Sequence, residues 1–300
     1  MKFSTTNTLI ALILLGLTCA FHFGCKTGVS PANRFNGADK ISRIISSNIS
    51  ANERILMIDH ARLAEEVGVE MPASQVTIYS DPKVNTPLLK NNPLVGLDLP
   101  FRILVYSDDI KGNPVKVLYP SANFLSKRYG LDVSVNLDDY TGSLKSFLKN
   151  IPPEVVSVVD GKGVTLGYGI NILSSPFSIK ETIKRIKTNA MAQGDTIWFT
   201  TINYDEDAKK LGDELPRMKL LLFGGPAAGG QAMKDFPKLG LDAFCQKILV
   251  YESEKDGVQV AYNDIVLLSL LHYGESNKPH HIINKRLSTS LKRALAIKDE

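Results

Sequence analysis

The chain has 300 residues, of which 44% are hydrophobic and 22% are charged, and its formal net charge is +4. This length suits about two ordinary domains, and the composition is that of a globular protein rather than a disordered or multi-span membrane protein. So small an excess of positive charge gives no support to nucleic-acid binding, and nucleic acid is not an expected partner.

The N-terminus has the pattern of a targeting segment. Lys2 precedes an uncharged apolar stretch over residues 9–23, which is short for a transmembrane helix and resembles the apolar region of a signal peptide. We assign residues 1–25 to a signal peptide. Residues 26–37 are rich in Gly, Pro, Ser and Asn and predict a flexible tether.

Three processing routes remain open at this segment. Gly24-Cys25 resembles the end of a lipoprotein signal, in which Cys25 is lipidated and begins the mature chain. Cleavage after Ala20 is the second route, and an uncleaved anchor is the third. The expected location is the cell envelope, as a membrane-anchored lipoprotein or as a periplasmic or secreted protein. After cleavage at most Cys25 and Cys245 remain, so no disulfide framework is available.

Residues 38–151 predict a series of helices and strands that ends at Pro152-Pro153. The predicted order is helix 41–49, strand 54–58, helix 61–67, strand 76–79, helix 87–90, paired strands 101–106 and 115–119, and helices 122–129 and 144–151. Residues 152–163 are interpreted as a linker, in which 155–159 is a candidate extra strand for the first domain.

Residues 164–300 predict the same series again. The order is a β-rich segment 164–173, a helix opening at Ser178, strand 196–202, helix 205–211, strand 218–223, helix 228–236, hairpin strands 244–251 and 258–262, helix 264–272, and a final helix with Ile283, Leu287, Leu291 and Leu295 on one stripe.

The two segments share residues at a constant offset of 144 positions. Such self-similarity predicts two copies of one α+β domain, each a mostly antiparallel sheet with helices on one face. The first segment has Gly68, Glu70, Pro72, Pro82, Gly96, Leu97 and Asp98, and the second has Gly212, Glu214, Pro216, Pro226, Gly240, Leu241 and Asp242.

Short motifs of the first copy resemble those of a known family. They are Tyr79-Ser80-Asp81-Pro82-Lys83-x-x-Thr86, Ile58-Asp59-His60-Ala61, Leu97-Asp98-Leu99-Pro100 and Tyr119, and they resemble the family catalogued as domain of unknown function 302. The resemblance covers about residues 38–151 and again about 164–297. It implies a compact domain of TATA-binding-protein-like topology, dimers of single-domain members, tandem copies in some chains and no established activity. A tandem chain is then expected to fold as a pseudo-dimer about an approximate two-fold axis.

Six residues of these motifs form a candidate ligand-binding or metal site, in which a His with an Asp is also suited to general acid–base chemistry. The opposing interpretation is structural, because Asp is a favoured helix N-cap and turn residue. The six are Asp59, His60, Asp81, Lys83, Thr86 and Asp98.

The second copy departs from these motifs. Asn203-Tyr204 stands in place of Asp59-His60, and Gly225-Pro226-Ala227 stands in place of Asp81-Pro82-Lys83. We therefore expect any function of the motifs to reside in the first copy, with the second copy as a scaffold.

Two further segments contain residue types found in binding sites. The glycine-rich run 224–230 leads from a strand into a helix and offers backbone N–H groups to an anion, although its spacing matches neither a P-loop nor a dinucleotide fingerprint. His280-His281 is interpreted as solvated or capping, because adjacent histidines on a helix diverge. No residue is assigned as a metal ligand, and the cofactor is left open.

The preferred function is therefore a non-catalytic envelope protein whose two copies bind a small ligand or a protein partner. The alternative is an enzyme with a His/Asp-based site in the first copy only, which requires these side chains to converge on one pocket.

Overall fold

The computed structural model describes residues 34–50, 53–132, 135–242 and 246–298. The predicted signal peptide, Cys25 and most of the tether lie outside the described residues. Two five-stranded sheets with flanking helices make up the described chain, which confirms the α+β class and the two similar domains.

The first domain is built on a sheet of strand order β1-β2-β3-β4-β5, antiparallel except for the parallel pair β4–β5. Its elements are α1 (Asn36–Asn48), β1 (Arg54–Asp59), α2 (His60–Glu65), β2 (Ser74–Tyr79), α3 (Pro82–Asn91), the 3-10 helix η1 (Pro93–Leu97), β3 (Phe101–Ser107), β4 (Val115–Pro120), α4 (Ala122–Tyr129), α5 (Asp138–Phe147), η2 (Pro153–Val155) and β5 (Val156–Val159).

The second domain has the order β6-β10-β9-β8-β7 and is antiparallel throughout. Its elements are β6 (Ile170–Ser175), α6 (Ile179–Met191), β7 (Ile197–Asn203), α7 (Tyr204–Lys210), β8 (Met218–Gly224), α8 (Pro226–Met233), η3 (Pro237–Leu241), β9 (Gln246–Ser253), β10 (Gly257–Asn263), α9 (Ile265–Tyr273) and α10 (Lys278–Ala294).

Three boundaries differ from the sequence-based expectation. Residues 34–37, assigned to the tether, are folded: Arg34 and Phe35 are buried, and α1 begins at Asn36. The predicted linker 152–163 contains β5, in agreement with the extra strand expected at 155–159, and β5 completes the first sheet at the edge that β6 occupies in the second. Residues 164–169 form turns rather than a strand, because Gly167 and Gly169 adopt positive φ.

Each sheet is covered on both faces, which explains why its central strands are apolar on both sides. One face packs on the domain's own helices, as α6 and α10 do on Ile248 and Val250 of β9. The other face meets the opposite domain: η3 lies on β2 and β3, and η1 lies on β9 and β10. The two repeats therefore share one core and form the expected pseudo-dimer.

None of the helices in the described ranges has both the length and the hydropathy needed to cross a membrane.

Candidate functional site

A cluster of buried charges lies where the two domains meet, and Asp98 is its first centre. Asp98 follows η1 and is fully buried. Its carboxylate accepts hydrogen bonds from Arg128 Nη1 at 2.5 Å, Tyr129 OH at 2.8 Å and Lys247 Nζ at 2.8 Å. Lys247 belongs to the second domain, so this carboxylate joins the two repeats.

Asp242, the counterpart of Asp98, is the second centre. It accepts from Arg102 Nη2 of the first domain at 2.9 Å and lies 2.7 Å from His272 Nε2 of its own domain. Arg102 corresponds to Lys247 in the hairpin strands β3 and β9, and His272 corresponds to Arg128 in α9 and α4. Asp98 also pairs with Arg102 Nη1 at 2.9 Å, so Arg102 contacts both carboxylates. Each carboxylate thus contacts basic side chains from both repeats, as an approximate two-fold axis requires.

The charges of this cluster keep both carboxylates ionised. Burial alone would raise the pKa of Asp98, but Arg102, Lys247 and Arg128 hold it well below its usual range. Burial also raises the pKa of Asp242. The hydrogen bond from His272 and the charge of Arg102 outweigh burial, and together they lower this pKa to about 2. Removing one member of such a buried network leaves an uncompensated charge, so the loss of any one of them is expected to destabilise the contact between the repeats.

His60 makes a second contact between the repeats. Its buried Nε2 lies 3.2 Å from the backbone oxygen of Gly240 in η3. Burial lowers the pKa of His60 to about 4, so the ring is neutral at physiological pH and donates to that carbonyl. The counterpart Tyr204 donates its hydroxyl to Gly96 O at 2.8 Å. The substitution of His60 by Tyr204 in the second copy therefore preserves the hydrogen bond.

Asp59 and Asp81 are helix caps. Asp59 accepts from the backbone N–H of Arg62 at 3.0 Å and from Gln75 Nε2 at 2.9 Å, and it also pairs with the Arg62 guanidinium. Asp81 accepts from the backbone N–H of Lys83 at 2.9 Å at the start of α3. Both roles agree with the structural interpretation of these residues.

The six candidate residues do not form one site. Because β1 and β2 are antiparallel, the residues that follow β1 and those that follow β2 lie at opposite ends of the strand pair. Lys83 is exposed, Thr86 is buried inside α3, and Asp98 is in the interdomain cluster. No cavity described below is lined by more than one of the six. Ligand binding by these side chains stays a prediction, and the geometry gives it no common pocket.

The glycine-rich run borders a small apolar cavity rather than an open anion site. His60, Leu63, Phe199, Pro226 and Met233 line this space of about 30 Å³ together with Gly224, Gly225, Gly229 and Gly230. A side chain at Gly230 is excluded, because its Cβ would lie 2.7 Å from the Cβ of Ala64. The glycines therefore allow α8 to approach α2 of the other repeat closely.

A much larger cleft of about 670 Å³ opens at the boundary between the domains. Its walls are β5 with the following turn on one side and η3 with α9 on the other. Three lysines, two carboxylates and a histidine are among its lining residues: Lys116, Lys162, Lys238, Glu154, Asp160 and His272. His272 connects the cleft to the buried charge cluster through Asp242.

The histidines near the C-terminus have structural partners. His280 is buried, its Nε2 lies 2.8 Å from Ala232 O, and its Nδ1 accepts from the N-cap Asn277 at 3.1 Å. His281 lies 3.2 Å from the Ser276 hydroxyl. Among the described residues, no group of three or more His, Cys, Asp or Glu side chains is arranged to hold a metal ion.

The partners of Asp98 and Asp242 were missed by the sequence analysis. A signal for them exists, because Arg102 and Lys247 interrupt otherwise apolar strands at corresponding positions of the two copies. A charge repeated at one place in two buried strands indicates a paired interior charge. Tyr204 was interpreted only as a departure from the motifs of the first copy.

Comparison with known proteins gives partial matches to curated relatives. A protein named fluoride-specific ion channel FluC 1 from Brucella suis is 30% identical over 120 residues, which are 40% of this chain and 44% of that protein. A protein of the same name from Brucella abortus is also 30% identical over 120 residues, covering 41% of its length. The chain thus spans less than half the length of these relatives.

A solved structure described as an uncharacterized conserved protein DUF302 from Bacillus stearothermophilus matches 42% of this chain and 98% of its own, with 18% identity and a TM-score of 0.36. The family profile itself matches residues 53–151 and again residues 171–296, one match for each domain. With two matches that together span most of its length, the chain belongs to the family described as Domain of unknown function DUF302 and carries that domain twice.

Proposed function

We propose that this chain is a non-catalytic binding protein of the cell envelope that binds a small ligand in the cleft between its two domains. The observation that carries the proposal is the cleft of about 670 Å³ between β5 and α9. Ligand sites favour domain boundaries and volumes of about 300–1,000 Å³, with a few polar groups that converge on an apolar wall.

The lining of the cleft indicates the chemistry of the ligand. Lys162 and Lys238 present ammonium groups, while Leu118, Val156 and Leu271 supply apolar surface. Lys116 is already paired with Asp108. This combination favours a small molecule that carries a carboxylate or phosphate on an apolar body.

The geometry gives less support to the enzyme alternative. That alternative needs His60 to act with Asp59 or Asp81. His60 is engaged with Gly240 of the second repeat, and the two carboxylates cap α2 and α3. A general base must lie within hydrogen-bond reach of its substrate, and the cavity beside His60 holds only about 30 Å³.

The envelope location is supported by the pattern of residues 1–25, with Cys25 as the lipidation site. Cell fractionation of the wild-type chain and a Cys25→Ser variant tests it. Loss of the protein from the membrane fraction in the variant is expected, and equal membrane retention of both chains excludes lipid anchoring at this residue.

Ligand binding is tested by thermal shift with a cleft-blocking variant. Val158 lies on β5 in the cleft with 44% of its surface exposed, so Val158→Trp fills the space. Ile172→Trp on β6, the corresponding edge strand of the second sheet, is the matched control because Ile172 is 46% exposed.

A panel of small carboxylates, organic phosphates, inorganic phosphate and sodium fluoride is then screened; fluoride is included because the curated relatives carry that name. A ligand is expected to raise the melting temperature of the wild type and the Ile172→Trp variant, but not that of the Val158→Trp variant. No shift across the panel, or an equal shift in all three chains, argues against a ligand site in the cleft.

A further inference from the structure

The outer helices of the second domain carry more net positive charge than the whole molecule does. Together α6 and α10 contain nine Lys and Arg residues and one carboxylate, Glu181. The whole chain has 35 Lys and Arg against 31 Asp and Glu, so the rest of the chain has more carboxylates than cations. Asp299 and Glu300 follow α10 and lie outside the described residues.

The first domain shows that the fold does not require this charge. Its corresponding helices, α1 and α5, contain three cations and three carboxylates. The positive excess is therefore a property of one face of one repeat. We call this face, formed by the outward side chains of α6 and α10, the basic face.

Several cations of the basic face are turned away from the protein. Ile186 of α6 and Leu291 of α10 are buried in the core. Lys184, Lys285 and Arg293 lie on the outer side of these helices and are exposed. Arg286, by contrast, is paired with Asp195 at 2.5 Å. Across the ranges that the structure covers, no carboxylate lies within ion-pair distance of Lys184, Lys285 or Arg293.

A groove of about 430 Å³ runs between the two helices of the basic face. Gln193 donates to the Ser290 hydroxyl at 3.2 Å across its floor. Lys285, Arg293 and the Thr289 hydroxyl line the same groove, so ammonium, guanidinium and hydroxyl donors surround one space. Such a set of donors suits a phosphate group.

Exposed apolar side chains stand among these cations. Ile282, which lines the groove, is 55% exposed, and Met191 at the end of α6 is 41% exposed. A helical surface that combines Lys and Arg with exposed apolar residues is typical of proteins that lie on a membrane, where the apolar groups enter the headgroup region.

We propose that the basic face binds the surface of an anionic phospholipid bilayer, with lipid phosphates in the α6–α10 groove and with Ile282 and Met191 at the headgroup level. Charge complementarity and the exposed apolar residues favour a bilayer over a nucleic acid. Single-stranded nucleic acid is bound by stacking on open aromatic rings. Two rings lie beside α6 and neither is open: Trp198 is stacked on Phe223 and covered by Lys187, and Phe177 is covered by Arg185. This inference is independent of the ligand cleft.

The test is vesicle co-sedimentation of the full-length chain. Vesicles of 30% phosphatidylglycerol in phosphatidylcholine are compared with pure phosphatidylcholine vesicles at low and high salt. Because residues 9–23 are apolar and uncharged, they contribute to both kinds of vesicle, so the ratio of the two partition constants is the measured quantity. Three chains are compared: the wild type, a patch variant (Lys184→Gln, Lys285→Gln, Arg293→Gln) and a control variant with equal charge loss elsewhere (Lys111→Gln, Lys209→Gln, Lys255→Gln).

Each cation near an anionic membrane strengthens binding by about fivefold. The ratio of the partition constants for anionic and neutral vesicles is therefore expected to fall at least about tenfold in the patch variant. The control variant is expected to keep the wild-type ratio. High salt is expected to weaken binding of the wild type to the anionic vesicles. A ratio near one for the wild type, or an equal loss in both variants, overturns the proposal. All substituted side chains are exposed or on exposed faces, and unchanged melting temperatures confirm that the variants are folded.

A second variant separates a bilayer from a soluble polyanion. Ile282→Ser removes apolar surface without changing charge, so it is expected to weaken vesicle binding severalfold and to leave binding to a single-stranded RNA oligonucleotide unchanged. If Ile282→Ser binds vesicles as well as the wild type, or if RNA binding is tighter than vesicle binding and is lost in the patch variant, the partner is not a lipid surface.

Discussion

Replacing His60 with glutamine is expected to reduce the loss of stability that the protein suffers in mild acid. Burial lowers the pKa of His60 from 6.5 to about 4, with the Gly240 carbonyl and Asp59 opposing part of that change. The unfolded chain therefore takes up a proton below pH 6.5, whereas the folded chain takes it up only near pH 4. Between these values the unfolded state binds more protons, so stability falls as the pH falls.

The size of this effect follows from the two pKa values. A pKa difference between 6.5 and about 4 corresponds to about 3 kcal/mol of folding free energy, fully present above pH 6.5 and lost by pH 4. Glutamine does not titrate in this range, so the His60→Gln variant lacks the His60 contribution to the acid-side slope. At neutral pH the variant is expected to be less stable by about 1 kcal/mol, because the hydrogen bond to Gly240 is weakened.

Urea denaturation at several pH values between 7.5 and 4.5 measures the effect, with far-UV circular dichroism and Trp198 fluorescence as independent probes. The difference in unfolding free energy between wild type and His60→Gln should shrink and then reverse as the pH falls. His281→Gln, at an exposed histidine, is the control and should follow the wild type. Parallel pH profiles for the wild type and His60→Gln would refute the burial of a neutral His60 at the interface.

Two further substitutions test the contact between the repeats. Asp98→Asn leaves Arg102, Arg128 and Lys247 without their shared carboxylate, so it is expected to lower the unfolding free energy in urea melts by about 3–5 kcal/mol. Asp139→Asn, on the surface of α5, is the control and should change the unfolding free energy little. A loss below about 1 kcal/mol for Asp98→Asn contradicts the proposed role of the cluster. Gly240→Ala places a Cβ 2.5 Å from Ser74 Oγ and 3.0 Å from Leu104 Cδ1, so it should reduce the stability measured by thermal denaturation by about 1–3 kcal/mol. Gly142→Ala in α5, whose Cβ meets nothing within 4 Å, is the control and should be neutral or stabilising. Equal behaviour of the two variants argues against close packing of η3 on the first sheet.

Most of the fold was predictable from the sequence because the duplication supplies each element twice. The Pro and Gly positions shared by the two copies fix the breaks between elements. The segment 152–163 was the exception, because the extra strand expected at 155–159 was predicted without its pairing partner or direction. Its strand β5 is short and parallel to β4, and the pairing partner of a parallel strand at a sheet edge is set by tertiary contacts rather than by local pattern.

The candidate site was harder to predict, for a physical reason. Asp59 and Asp81 have the sequence signature of functional carboxylates, but the same residue type also caps helices, and sequence alone does not separate the two roles. His60, Asp98 and Lys247 obtain their roles from the opposite repeat. Their partners lie between 149 and 180 residues away along the chain, at a distance no local motif spans.

The reciprocal contacts of His60 and Tyr204 have an evolutionary consequence. In a homodimer, one codon determines both symmetry-related positions, so a substitution is tolerated only if it suits both at once. Covalent fusion of the two copies removes that restriction, and each position is then selected separately. Tyrosine in place of histidine, lysine in place of arginine and a charged outer layer on one half alone are the kinds of asymmetry that a fused pair can accumulate and a pair of identical subunits cannot.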